Sequence, residues 1–299
     1  MHSPSYFKRT TYFLLILMSP FLMVGQQKIG YNLKVNDSFK ILQKAEQLIT
    51  QELEGSKHEI TNDLEAIFTF TVMGKTADGF SIKLVFKDFG MKSTSNLQGT
   101  LVNVKASEPV EGDMMSQMFK GLIDYELNLT LLENGKIESV EGGGAMIDNM
   151  IQSAGVEDDF TKNLMRKSLE KEFSSGGLAK SFEQMTFFYP DVAVDKGSTW
   201  ENTFSGKLKA ENTWQLDEIT SDAMTITGKG TITVDTNESG TTMALAGNHD
   251  YTIVTNTENG FINTIETTSF ASGHSKMAQL GDVEIPTSIK STVTYELIQ

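Results

Sequence analysis

Histidine is the rarest residue in this sequence that can bind a metal or transfer a proton near neutral pH. Three histidines follow the first 25 residues, His58, His249 and His274, and they lie far apart in the chain. A zinc site needs three or four converging ligands. The metalloprotease spacing HExxH is absent, because Asn62 stands where the second histidine should follow His58. We therefore expect no metal site and interpret all three histidines as surface residues of strands or turns.

Carboxylates are abundant, and glycoside hydrolysis needs a pair of them held roughly 5–10 Å apart. The chain has 39 Asp and Glu residues, so a carboxylate-based hydrolase stays an alternative. Residues 235–240 begin like a calcium loop, yet Ala246 occupies the position that needs a bidentate glutamate, so we interpret them as a hairpin tip. Gly228-Lys-Gly230 lacks the third glycine of a dinucleotide-binding turn. These patterns favour a protein that is not an enzyme and uses no cofactor.

Methionine and phenylalanine are concentrated in the middle of the chain. Of the 15 methionines, seven lie between residues 114 and 185. Flexible thioethers suit surfaces that accept apolar partners of varying shape, and helices rich in them could cover a sheet to form an apolar cavity. The alternative is that these side chains simply fill the core. The candidate lining residues are Met114, Met115, Met118, Phe119, Met146, Met150, Phe160, Leu164, Met165 and Met185.

Most of these candidates lie in a segment, 142–188, that has helical periodicity. Apolar residues recur three and four positions apart between residues 146 and 154, and Gly155 can end that helix. A second helix follows, with acidic residues at its start and basic residues towards its end. A third short helix covers 178–185. The expected apolar stripe of the second helix is Val156, Phe160, Leu164, Leu169 and Phe173.

On both sides of the helices, apolar and polar residues alternate with the period of a strand that has one buried face. Turn residues separate these runs at 76–79, 133–135, 237–240 and 258–260, and Asn-Gly in the second turn favours two successive residues with positive φ. The clearest runs are 66–73, 80–86, 127–132, 224–234, 251–255, 261–268 and 287–295. The predicted fold class is α+β and β-dominated. Long antiparallel strands form two tandem halves of a curved sheet or half-barrel, with the helices packed on one face.

The two β-rich halves share short patterns. Glu133-Asn-Gly135 and Glu258-Asn-Gly260 each follow an alternating run that starts with Asp-Tyr. A tandem repeat explains this, and chance similarity between two hairpins is the alternative. The repeat helps with residues 39–53, which could also form an amphipathic helix. Their counterpart, 200–208, is poor in helix formers, so we interpret 39–53 as a long strand.

The first 25 residues have the pattern of a secretory signal peptide. Lys8 and Arg9 precede an apolar run that ends near Gly25, which predicts cleavage near Gly25-Gln26. A retained membrane anchor is the alternative, but the run is shorter than the roughly 20 residues of a spanning helix. We divide the rest into a first β-rich half (26–141), the helical segment (142–188) and a second β-rich half (189–299), read as one domain.

Composition limits the partners. The formal net charge is −14 and becomes −16 when the two cations of the signal peptide are removed, so a nucleic-acid partner is not expected. The absence of cysteine excludes disulfides, thiolate chemistry and a lipid-modified N-terminal cysteine. An exported chain without disulfides needs a large core, and 274 residues are enough to supply one.

Three segments, residues 33–39, 118–142 and 189–200, resemble a family of exported Bacteroidota proteins that is classed only as a domain of unknown function. The resemblance implies export and a β-rich architecture over nearly the whole mature chain, and it brings no catalytic residues. Many members of the family look like lipoproteins, whereas this sequence has no cysteine for a lipid anchor.

Together these observations predict a periplasmic or secreted, non-enzymatic protein that binds an amphiphile or an apolar partner segment. An envelope protein–protein interaction module is the second hypothesis. The oligomeric state stays open.

Overall fold

The alternating runs form twelve strands that make up most of the molecule. In the computed structural model, which describes residues 26–298 except 207, 239, 279, 280 and 282, strands account for 58% and helices for 17%. The predicted signal peptide, residues 1–25, lies outside the described residues. The strands are β1 (Ser38–Leu53), β2 (Ser56–Lys75), β3 (Gly79–Ser95), β4 (Gly99–Lys105), β5 (Glu126–Leu132), β6 (Ile137–Glu141), β7 (Thr199–Phe204), β8 (Leu208–Ile219), β9 (Ala223–Glu238), β10 (Thr241–Asn256), β11 (Ile262–Met277) and β12 (Glu284–Ile298). The helices are α1 (Met114–Lys120), α2 (Gly143–Ser153), α3 (Asp159–Phe173) and α4 (Ser175–Thr186).

The twelve strands belong to one antiparallel sheet whose two ends are joined by the helices. The strand order is β6-β5-β3-β2-β1-β12-β11-β10-β9-β8-β7, with β4 pairing β3. The chain passes from β6 at one edge through α2, α3 and α4 to β7 at the other edge, and α4 packs against both edge strands. The predicted fold class, a β-dominated curved sheet with helices in the middle, is confirmed.

The two halves of the chain have the same strand order. The first half supplies β6-β5-β3-β2-β1, the second supplies β11-β10-β9-β8-β7, and β12 joins them. A Glu-Asn-Gly turn follows β5 in the first half and β10 in the second. The expectation of two positive-φ residues is wrong, because only the glycines, Gly135 and Gly260, adopt positive φ there. The side chains of Asn134 and Asn259 instead accept a hydrogen bond from the backbone N–H two residues later.

β1 is a strand, as expected, because it pairs along its length with β2 on one side and β12 on the other. Its alternation follows from this position: Ile41 is buried on the inner face, whereas Lys44 and Glu46 are exposed on the outer face. β2 and β3 run for 20 and 17 residues, far beyond the predicted 66–73 and 80–86. The additional residues were missed because serine and asparagine occupy several of their inward positions, at Ser56, Asn62, Ser93 and Ser95.

The three predicted helices are present, and α1 is additional. Asp113 caps α1 by accepting a hydrogen bond from the N–H of Ser116, and seven residues are too few to show a helical period. The predicted stripe of α3 is wrong in its first half. Leu169 is buried, but Phe160 and Leu164 are 77% and 61% exposed, because α3 packs mainly against α2 and α4.

The N-terminal segment 27–34 lies between the two Glu-Asn-Gly turns and closes one end of the core. The backbone N–H of Tyr31 donates to a carbonyl of the first turn at 2.8 Å, and the backbone N–H of Asn32 donates to a carbonyl of the second turn at 2.9 Å. Two lysines of the segment form ion pairs with these turns: Lys28 pairs with Glu133 at 2.6 Å, and Lys34 pairs with Glu258 at 2.7 Å. Ile29, Tyr31 and Leu33 are buried in a core cluster that includes both halves and the helices. The pairing of the two halves is therefore supported by a segment outside either repeat.

Candidate binding site between the helices and the sheet

A cleft of about 540 Å³ lies between three helices and the inner face of the sheet. We call it the helix–sheet cleft. Its volume is within the range of small-molecule sites, roughly 300–1,000 Å³. The sheet side is formed by Gln43, Leu64, Ala66, Phe86, Phe89, Met91 and Tyr295. The helix side is formed by Met115, Met118, Phe119, Ser168, Leu169, Glu172, Phe173, Leu178, Ser181 and Phe182.

Aromatic contacts hold two of the covering helices against the sheet. The ring of Phe119 in α1 stacks on Phe89 of β3, with centroids 4.7 Å apart. Phe182 of α4 meets Phe68 of β2 edge-on, with centroids 5.6 Å apart. Such pairs contribute on the order of 1 kcal/mol beyond their buried area, so they stabilise the positions of α1 and α4 against the sheet.

The polar groups of the cleft lie on its floor and at its rim. On the floor, Gln43 Nε2 donates to the Tyr295 hydroxyl at 3.3 Å, and burial raises the pKa of Tyr295 well above its ordinary value. The tyrosine is therefore neutral at physiological pH. At the rim, Ser168, Glu172 and Ser181 are exposed. Among the lining residues that the structure describes, Glu172 is the one charged side chain.

The structure divides the ten predicted lining residues into three groups. Met115, Met118 and Phe119 line the cleft, and Met114 lies beside them, half-exposed on α1. The second group, which is buried in or packed against the core, is Met146, Met150, Met165 and Met185. The third group, Phe160 and Leu164, is exposed on α3.

The sheet side of the cleft was missed by sequence reasoning. Leu64 and Ala66 are two residues apart in β2, as are Phe89 and Met91 in β3, so each pair faces the same side of the sheet. Strand alternation could have indicated these inward positions, but it does not show which inward positions a helix leaves uncovered.

A second feature of the inner face is a row of polar or small residues that crosses nine strands in register. We call it the polar row. Each member is the direct partner of the next in the sheet ladder. Its members, in spatial order, are Asn202, Asn212, Gly230, His249, Ser269, Ser291, Gln47, Asn62 and Ser93.

In the second half, the polar row is a directed chain of hydrogen bonds. Asn202 Nδ2 donates to the carbonyl of Phe187 at 2.6 Å, and Asn212 Nδ2 donates to Asn202 Oδ1 at 2.8 Å. Asn212 Oδ1 is then left to accept from His249 Nε2 at 2.6 Å, which assigns the imidazole proton to Nε2. The chain ties the backbone that leaves α4 to β7, β8 and β10.

Gly230 makes this chain possible. A Cβ atom at this position would lie 2.5 Å from His249 Nε2 and 2.7 Å from Asn212 Oδ1, so a side chain there would occupy the path of the hydrogen bond. Gly228, in the same strand, leaves room for the ring of Trp214, which would lie 2.4 Å from an added Cβ. Gly228 and Gly230, which do not form a dinucleotide-binding turn, thus leave room for the side chains of the neighbouring strands.

The first half repeats the arrangement with different residues. Asn62 Nδ2 donates to Gln47 Oε1 at 3.0 Å, and Ser93 Oγ donates to Asn62 Oδ1 at 2.7 Å. The central asparagine of each half therefore donates to one neighbouring strand and accepts from the other side. Both hydrogen-bond patterns leave the asparagines satisfied, which indicates a structural role.

His249 is not a surface residue, and that expectation is wrong. It is 3% exposed, and burial lowers its pKa to about 4, with Asp250 only partly opposing the change. His274 is exposed, as expected, and His58 is half-buried and hydrogen-bonded to Ser95 at 2.9 Å. Within the described part of the chain, no three His, Cys, Asp or Glu residues are grouped as metal ligands. The calcium-like segment lies where β9 connects to β10, as expected for a hairpin tip: its residues 235–238 end β9, and β10 begins at Thr241.

Searches against known proteins and structures return one family and weak structural neighbours. The model of a family of unknown function, DUF6263, matches residues 77–262. No curated protein matches the sequence. An outer membrane channel from Pseudomonas putida F1 aligns over 90% of this chain and 97% of its own, with 7% identity and a TM-score of 0.27. The translocator domain of the autotransporter NalP from Neisseria meningitidis aligns over 89% and 90%, with 6% identity and a TM-score of 0.21. TM-scores this low do not define a shared fold. None of the described helices has the length and apolar character needed to cross a membrane.

Proposed function

The chain belongs to the family of unknown function DUF6263, and we propose that it is an exported, non-enzymatic binding protein that holds an apolar or amphiphilic ligand in the helix–sheet cleft. The observation that carries this proposal is the cleft itself. It is about 540 Å³ in volume and is lined mainly by aromatic, leucine and methionine side chains. Burial of an alkyl chain there is favourable by about 0.8 kcal/mol per methylene group.

The methionines of α1 support an adaptable site. Met115 and Met118 line the cleft, and Met115 is 41% exposed. Unbranched thioether side chains can change rotamer to follow a ligand's shape. The wall that they form can therefore adjust, while the aromatic contacts of Phe119 and Phe182 keep the helices in place.

Exposed apolar residues on α3 supply an access path. Phe160, Leu164, Ser168 and Glu172 follow one another at intervals of four and therefore share one face of the helix. The last two line the cleft, and the first two are exposed beyond it. An alkyl chain that first contacts Phe160 and Leu164 would be led to the cleft.

The test is binding of the neutral dye Nile red to the mature chain, followed by fluorescence, together with native mass spectrometry for lipid that co-purifies. We expect saturable binding that Ser168→Phe weakens at least tenfold by filling the rim. Asn163→Phe introduces the same side chain at an exposed position of the same helix outside the cleft lining. This variant should bind Nile red as the unmodified chain does. Absence of saturable binding together with absence of co-purified lipid would refute the proposal.

A protein partner is the second candidate, and the exposure of Phe160 and Leu164 is the observation that favours it. The two proposals differ in the result of Phe160→Ser combined with Leu164→Ser. A docking surface would lose its partner with Nile red binding unchanged, whereas an access path would show a slower association rate of the dye.

Export is part of the proposal and has its own test. Amino-terminal sequencing of the chain recovered from the extracytoplasmic fraction should begin at or close to Gln26. Recovery of the chain with residues 1–25 still attached would support a retained anchor instead.

A further inference from the structure

We infer that the helix–sheet cleft selects ligands with an uncharged, hydrogen-bonding head group, such as an alcohol, ester or amide, and discriminates against carboxylates and phosphates. This inference rests on the proposed function and adds the chemical class of the ligand. It follows from which groups line the cleft and from the hydrogen-bonding capacity that remains on its floor.

In the part of the chain that the structure describes, the cleft lining contains no lysine or arginine, and its single charged residue is Glu172 at the rim. An anionic head group that enters the cleft would lose its hydration without meeting a cation, which is strongly unfavourable. The net charge of −14 for the whole chain acts in the same direction during approach.

The floor of the cleft is formed by the paired side chains of Gln43 and Tyr295. Gln43 Nε2 donates to the Tyr295 hydroxyl oxygen, so the tyrosine O–H group is left as a donor and Gln43 Oε1 as an acceptor. Neither has a further hydrogen-bond partner among the described residues. A donor and an acceptor side by side match a hydroxyl, an ester or an amide, which can pair with one or both.

The apolar walls set where the head group lies. Leu64, Ala66 and Met118 are apolar residues of the same lining, so an alkyl chain attached to a head group at Gln43 and Tyr295 can lie against apolar walls. If each carbon group needs roughly the 30 Å³ that a water molecule occupies in the liquid, the cleft has room for at most about 18 of them. A dodecyl chain therefore fits.

The experiment compares two probes that share this chain, dodecanol and dodecanoate, as competitors of Nile red bound to the mature chain at pH 8. We expect dodecanol to compete at a concentration at least tenfold lower than dodecanoate does. Tyr295→Phe removes the hydroxyl and keeps the ring, and it should weaken dodecanol about three- to tenfold, the value of one hydrogen bond, without changing the affinity for Nile red. Tyr125→Phe, a half-buried tyrosine outside the cleft lining, is the matched control and should change neither.

The possible results separate the two proposals. If Nile red does not bind and neither dodecyl compound is retained in native mass spectrometry, the proposed function fails and this inference fails with it. If both dodecyl compounds compete equally well, or if Tyr295→Phe weakens both to the same extent, the cleft binds alkyl chains and only the head-group selectivity is overturned.

Discussion

The substitution Gly230→Ala tests whether the polar row is held by the close approach of β8, β9 and β10. The added Cβ would lie 2.5 Å from the carbonyl oxygen of Glu211, 2.5 Å from His249 Nε2 and 2.7 Å from Asn212 Oδ1. All three distances are far below van der Waals contact, so the histidine must leave its position and its hydrogen bond to Asn212 must break.

The magnitude follows from two costs and one gain. Overpacking a tight site costs about 1–3 kcal/mol, and leaving buried polar groups without partners costs about 1–3 kcal/mol. Replacing glycine by alanine in a strand returns about 0.5–1 kcal/mol. We therefore expect Gly230→Ala to lower the free energy of unfolding by about 1–5 kcal/mol. The melting temperature should fall by roughly 2–10 °C, since about 2 °C per kcal/mol is typical of a domain of this size.

The assay is urea unfolding followed by tryptophan fluorescence, because Trp200 and Trp214 lie in β7 and β8 beside the affected site. Gly74→Ala is the matched control. Gly74 is also a strand glycine, but nothing lies within 4 Å of its added Cβ. The free energy of unfolding of Gly74→Ala should therefore equal that of the unmodified chain or be slightly higher.

A double-mutant cycle isolates the part that involves the imidazole. In the background of His249→Ala, Gly230→Ala should cost about 1–2 kcal/mol less, because only the Glu211 carbonyl and Asn212 still oppose the new methyl group. A Gly230→Ala variant as stable as Gly74→Ala would show that the site tolerates a methyl group. An equal cost of Gly230→Ala with and without the imidazole would show that His249 does not oppose that group.

Three further changes test other parts of the structure. The pKa of His249 is about 4 in the folded protein and about 6.5 in the unfolded chain, so the unfolded chain binds more protons between these values and stability falls as the pH decreases from 6.5 to 4. At pH 5 this group should lower the free energy of unfolding by about 2 kcal/mol relative to pH 7. The urea midpoints of the unmodified chain and of His249→Gln are measured at both pH values, and the variant should lack this part of the decrease. Phe182→Ala removes a buried ring that contacts Phe68, Phe70 and Phe86. It should lower the free energy of unfolding in urea by about 3–5 kcal/mol. A loss below 1 kcal/mol would show that α4 does not depend on this contact. Gly176 and Gly177 lie in the first turn of α4, and an added Cβ at Gly176 would meet nothing within 4 Å, so Gly176→Ala should be neutral or stabilising. Gly177→Ala should destabilise the protein, because its Cβ would lie 2.6 Å from the carbonyl oxygen of Glu172. Equal melting temperatures for the two variants would contradict this packing.

Much of the fold could be predicted from short-range patterns. The strands with apolar alternation, the three longer helices and the Glu-Asn-Gly turns all appear close to their expected places. The strand interpretation of residues 39–53, which depended on their resemblance to 200–208, is correct. The resemblance to an uncharacterised family is confirmed at the level of a family of unknown function. Its association with exported Bacteroidota proteins stays a prediction.

Two of the errors share one physical cause, which is that a residue's environment depends on distant segments. Phe160 and Leu164 fit a buried stripe by spacing, but α3 packs mainly against other helices, and these two side chains point away from them. His249 was expected at the surface, and it is buried because glycine in the neighbouring strand lets it reach Asn212. No pattern along a single helix or strand shows either relation.

Sequence alone determined which segments are strands and helices, because alternation, helical spacing and turn residues act over a few positions. It also determined the absence of disulfides and the unusual content of methionine near the middle of the chain. Only the tertiary structure decided that Met115, Met118 and Phe119 face a cleft while Met146, Met150 and Met185 fill the core. That division depends on how far the helices lie from each inward residue of the sheet. Such a distance is set by contacts between residues that are far apart in the sequence.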